Sequence, residues 1–145
     1  MKLKSKTVWF LAPLIFAGIY LFFFHAGYPE WHNLERLAFA GVHTNGQVSA
    51  KEPGNHQSIR YEFSVGTNNY SGVGNADHGG LPGLDRIGVG EIIPVTYLPD
   101  QPEISVPGDP IELFHSWSFL LFLMLPAMSL IATVVTVRRL LKNST

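Results

Sequence analysis

Six histidines carry the most versatile chemistry in this chain: His25, His32, His43, His56, His78 and His115. An imidazole can ligate zinc or copper, move a proton, or change its charge near neutral pH. The local sign of a metal site is a pair of ligands spaced HxH or HxxxH, and none of the six has such a neighbour. Only the fold could bring ligands together, so no metal is expected. His25, His32 and His115 stand beside apolar runs, where a half-polar ring suits a membrane interface.

Asp77-His78 sets an acid beside a base, but adjacent side chains seldom point together and no nucleophile stands nearby. With no cysteine in the chain, thiol nucleophiles, thiolate metal ligands and disulfides are excluded. The surrounding stretch, Gly72-Val73-Gly74-Asn75-Ala76-Asp77-His78-Gly79-Gly80-Leu81-Pro82-Gly83, contains GxG but neither GxGxxG nor a GxxxxGK motif. It is therefore not expected to cradle a phosphate. It reads as a long connection or a flexible loop that meets a partner, with Asp77, His78 and Leu81 as the candidate interaction residues. The sequence points away from an enzyme and implies no cofactor.

The elements that must hold these residues fall into three compositions. Residues 8–26 and 113–137 contain no Asp, Glu, Lys or Arg and hold eight of the ten phenylalanines. At 19 and 25 residues they match the length that crosses a bilayer's hydrocarbon core as helix. Covering two such helices in a soluble core would take a larger body than the remaining chain provides. Pro13 and Pro126 are compatible with membrane helices. Lys2, Lys4 and Lys6 resemble the start of a cleaved leader. The first apolar run is too long for one, however, and Phe22-Phe23-Phe24-His25-Ala26 is a poor cleavage site, so an uncleaved anchor is expected.

Charge sets the orientation. Residues 1–7 and 138–145 each carry three bases and no acid, whereas 27–112 carries all 11 acids and four bases, a net −7. Lys/Arg-rich flanks face the cytoplasm. Residues 1–7 and 138–145 are thus expected as cytoplasmic tails of an inner (cytoplasmic) membrane protein, with 27–112 periplasmic or extracellular. Trp9, Trp31 and Trp117 fall near the span edges as membrane-interface anchors. The total charge of −1 excludes a generally basic nucleic-acid binder. Protonating all six histidines, with His25 and His115 at the span edges counted to the outer side, would move that side from −7 to −1, but scattered, uncoupled histidines are the expected reading.

Within the outer part, residues 27–41 place Pro29 at a first helical position and Trp31, Leu34 and Leu37/Ala38 on one face. The segment is either a short amphipathic helix lying on the headgroup layer or an irregular linker. Residues 42–108 change period. Ile59, Tyr61, Phe63 and Val65 alternate with Arg60, Glu62 and Ser64, which marks a strand buried on one face. Gly66–Asn69 turns the chain into a returning strand at Asn69–Val73. Val42–Lys51, Glu91–Leu98 and Ile104–Val106 are further strands, and Pro94, unable to donate, is expected at an open edge or bulge. The expected fold class is membrane α+β: two transmembrane helices flanking a small antiparallel β-sheet or partly open β-barrel.

The order Gly46-x-Val48, Tyr61-x-Phe63-x-Val65, Tyr70-x-Gly72, Val89-Gly90-Glu91 and Val95-Thr96-Tyr97-Leu98-Pro99-Asp100-Gln101-Pro102, with Ser105 behind it, lies between the two apolar runs. In this order the chain resembles the bacterial family catalogued as domain of unknown function 3592, over about residues 40–106. The 95–102 piece is the most specific. The glycine-rich loop and Pro94 depart from the pattern. The resemblance implies topology and fold, and no catalytic residues.

Two functions stay open. One is a membrane-anchored module whose outer β-domain binds a protein or the envelope. The other is a small accessory subunit held in a larger membrane complex by its helices. Ser129/Thr133 and Ala132/Thr136 place small residues four apart, the spacing of close helix approach, either to Ala17-Gly18 or to another copy. The expected partners are the lipid bilayer and a protein partner or self-association, with no nucleic acid.

Overall fold

A computed structural model describes residues 5–142, with side-chain surroundings for 12–139 and 142. It divides into two compact units: one comprises residues 30–116, the other the described parts of 1–29 and 117–145.

The helical unit draws on α1 (Ser5–Ala40) and on α2 (Pro110–Phe119), which continues through a widened turn at Leu120–Met124 into α3 (Leu125–Lys142). Pro126 has no N–H for the Phe122 carbonyl, and in a regular helix its ring would press on that oxygen. The turn before it opens, so the Leu125 N–H reaches the Leu120 carbonyl five residues back. Ala12–Ala40 and Pro110–Arg139, 29 and 30 residues, are each long and apolar enough to cross a membrane. Leu121, Ser129, Thr133 and Val137 form the buried line of the C-terminal helix. Gly27 allows Leu121 in, since a Cβ there would lie 3.0 Å from Leu121 Cδ2. Phe24 meets Phe122 edge-on at 6.1 Å. Gly18 faces open space, so it takes no part in seating Ser129 and Thr133.

No break in the helix occurs at residue 27: α1 runs through Pro29 as one 36-residue helix, and the division between the two units falls within it, after Pro29. A proline inside a helix costs one hydrogen bond and disturbs one turn; the long apolar stretch before it and the packing after it hold the rest. Leu34 and Leu37, each 2% exposed, are buried in the 30–116 unit. Leu34 and Leu37 of the stripe expected to lie on headgroups are thus covered by protein, while Trp31 and Ala38 are half-buried. Arg36 ties these last turns to the β-sheet, donating to Asp100 Oδ2 at 2.7 Å and Gln101 Oε1 at 2.8 Å.

Five strands follow: β1 (Val42–Glu52), β2 (Ser58–Val65), β3 (Asn68–Asn75), β4 (Ile92–Leu98) and β5 (Gln101–Pro107). Their order is β3-β2-β1-β4-β5, with every neighbouring pair antiparallel. Strand β4 returns by a long connection to lie beside β1, which makes a Greek key extended by β5. Val48, Ile59, Tyr61, Phe63, Ile93 and Val95 point inward, joined by Ala76, Leu81, Leu84 and Ile87 from the β3–β4 connection.

The sheet curls until β3 and β5 nearly close it. Gly74 on β3 lies flat against the Pro107 ring, with no room for a Cβ. Gly72 lies equally close over the Tyr61 ring, whose hydroxyl bonds Ser105 Oγ on β5 at 3.0 Å. Side chains therefore close the seam where no backbone ladder does. Pro94 is on an inner strand opposite Asn45, not at an edge. Its carbonyl accepts from Gly108 N–H at 2.8 Å, so its nitrogen faces the end of β5 as well. The Gly108 carbonyl, which an N–H at position 94 would have reached, takes the Thr96 hydroxyl at 3.0 Å. That uses the only Thr96 proton, so His43 Nδ1, 2.9 Å away, is the donor to Thr96 Oγ1.

Candidate functional site

The glycine-rich connection is docked rather than loose. Asp77, Gly79 and Gly80 adopt positive φ of 67°, 60° and 80°, which folds the segment into consecutive tight turns. Asp77 N–H donates to Pro82 O at 3.1 Å, and Leu81 N–H to His78 O at 3.1 Å. Gly79 joins the segment to the start of α2: its carbonyl accepts from Asp109 N–H at 2.8 Å and its N–H donates to Glu112 Oε2 at 3.0 Å. Asp77 and His78 stand exposed, while Leu81 is 7% exposed within the core. His78 Nδ1 lies 2.8 Å from the Asp77 main-chain carbonyl, so the ring engages backbone rather than the neighbouring carboxylate. The three loop residues are thus split between surface and core. The spacing of Leu81, Leu84 and Ile87, every third residue, is the signal in the sequence that this stretch turns inward.

Of the three tryptophans, Trp31 is half-buried with its ring 6.0 Å from Phe114, and Trp117 is half-buried beside Gly27. The side chain of Trp9 lies outside the described residues. Among the described residues no group of three or more His, Asp or Glu side chains is placed to hold a metal ion.

A polar depression on the outer face of the sheet is not marked by any motif. It is open to solvent, is lined by Asn45, Gln47, Glu62, Ser64, Asn69 and Ile92, with the backbone at Gly46 and Phe63 as its floor, and offers about 360 Å³. Its shape follows from Gly46. A Cβ there would stand 2.7 Å from Val95 Cγ2 and 3.1 Å from Glu62 O, so only glycine lets β1 sink toward the core at this point. The register aligns Ile92, Gln47, Glu62 and Ser71 across four strands. Ser64 and Asn69 pair beside them. Ser64 Oγ donates to Asn69 Oδ1 at 2.7 Å, which leaves the Asn69 amide N–H groups free to face outward. Gln47 Nε2 donates to Gly90 O at 3.0 Å, which leaves Gln47 Oε1 as an acceptor. Arg60, two residues along β2 from Glu62, is turned to Glu52 by a charged hydrogen bond. Bonds from Asn55 and then Arg60 hold the Glu52 carboxyl below its ordinary range. Glu62 keeps the only charge in the depression. In the sequence these residues read merely as the polar half of an alternating strand.

No family model, curated protein or solved structure matches this chain significantly.

Proposed function

We propose that this chain is a two-pass membrane protein that holds the 30–116 unit outside the cytoplasm for protein or envelope interaction. One observation carries the reading: two helices long and apolar enough to cross a membrane contain the uncharged runs 8–26 and 113–137, these runs bracket a segment (27–112) of charge −7, and three bases lie beyond each run on its far side. The large apolar side chains left exposed on those helices support it, since lipid is the solvent that makes such a surface stable. Membership of domain of unknown function 3592 is proposed on the resemblance of the residue order alone, Gly46-x-Val48, Tyr61-x-Phe63-x-Val65 and Val95 to Pro102.

The absence of native cysteine gives a clean test. Single cysteines introduced as Ser5→Cys, Asn68→Cys and Asn143→Cys in intact cells are treated with a membrane-impermeant maleimide. Label is expected at position 68 alone. Label at 5 or 143 from outside sinks the topology.

A further inference from the structure

We propose that the outer-face depression between β1 and β2 binds a neutral oligosaccharide. The proposal rests on the outward placement of the β unit and deepens it by naming what that unit meets.

Recognition here is a matter of complementary hydrogen bonding. A sugar hydroxyl both donates and accepts, so its best protein partners are amides and carboxylates held with their free groups at fixed positions. The depression supplies this. Asn69 presents free donors because Ser64 holds its oxygen, and Gln47 presents a free acceptor because Gly90 holds its nitrogen. Glu62 and Asn45 lie between them on the middle strands, both exposed and with no side-chain hydrogen bond among the described residues. Ile92, 60% exposed, gives one wall an apolar surface for the C–H face of a sugar ring. The volume of about 360 Å³ falls within the range of ligand clefts, about 300–1,000 Å³.

The same residues argue against other polymers. Phosphodiester chains need Lys or Arg to replace their counterions, and the depression contains neither. The nearest cation on β2, Arg60, is engaged by Glu52. The glycine that shapes the floor is inside a paired strand, so the depression exists without closure of any loop.

The test is a titration of ¹⁵N-labelled full-length chain in detergent micelles with chitohexaose, cellohexaose and a single-stranded hexathymidylate. Amide shifts confined to 45–47, 62–64, 69–71 and 92 with either glycan are expected. Glu62→Gln should weaken that binding about ten-fold, the scale of one hydrogen bond to a charged group. Glu103→Gln, exposed on β5 and not among the residues that line the depression, should leave it unchanged. No glycan-dependent shift at about 10 mM (a Kd above that weakest useful range), shifts elsewhere, or tighter binding of hexathymidylate at these residues overturns the proposal. Because micelles have no inside, a failed titration leaves the topology standing, and a failed cysteine map leaves the titration interpretable.

Discussion

In the 30–116 unit Ile59, Tyr61 and Val95 are wholly buried, whereas in the helical unit Leu14, Phe22 and Met128 stand 68%, 69% and 63% exposed. Both regions are rich in large apolar side chains, yet one turns them onto each other and the other turns them out. In the sheet, alternation sends every second residue to a shared interior, and the solvent-facing half is Arg60, Glu62 and Ser64. In the helices no polar face exists to choose, so the apolar surface encircles them. The difference lies in what covers the apolar side chains: a shared core in the 30–116 unit, and nothing among the described residues for much of the helical unit.

Substitutions that remove equal apolar bulk from the two units sharpen this contrast most. Tyr61→Ala should destabilise the sheet by about 3–5 kcal/mol, as for loss of a buried aromatic. Phe22→Ala should cost no more than about 0.5 kcal/mol. Amide hydrogen exchange of strand and helix residues in full-length protein in micelles reads both, and a comparable cost at Phe22 breaks the comparison. A smaller effect comes from the same tyrosine by titration. Burial pushes its hydroxyl up from 10.0 to about 12, with the Ser105 bond pulling the other way. The folded state then holds this proton more tightly than the unfolded state. The contribution is complete below pH 10 and declines as pH rises from 10 toward 12, by on the order of 2 kcal/mol. Tyr61→Phe should abolish that alkaline slope in denaturant midpoints while the helices stay indifferent. The smallest effect is expected at Arg36→Ala. Its partner Asp100 is 66% exposed, so the loss should stay within about 1 kcal/mol and shrink further in salt.

Much of the sheet was legible because its period is short and local. The strand expected from Ile59 to Val65 is observed over Ser58–Val65, and the returning strand and its Gly66 turn follow it. Strand β5 is longer than Ile104–Val106 foretells, since its pairing partner rather than its own composition sets its length. Helix boundaries were less legible. Pro29 has the chemistry of a helix start, but a start also needs the preceding turn to be interrupted, and here it is not. The glycine-rich connection misleads for a related reason: glycine gives freedom to the unfolded chain, while Leu81, Leu84 and Ile87 decide where the folded chain goes. The outer depression was invisible because its concavity depends on what lies beneath Gly46, namely Val95 from a strand 49 residues away.

The seam between β3 and β5 has a consequence for behaviour at high protein concentration. An open sheet offers its last strand as a template, and any extended segment of another polypeptide can add to it. Here both terminal strands are turned toward each other, with Tyr61 bridging under Gly72 and Pro107 resting on Gly74. Their unpaired amides look into a gap already filled by side chains. The fold thereby withholds the one surface most prone to recruit strangers into aggregates, and does so by steric occupation instead of charge.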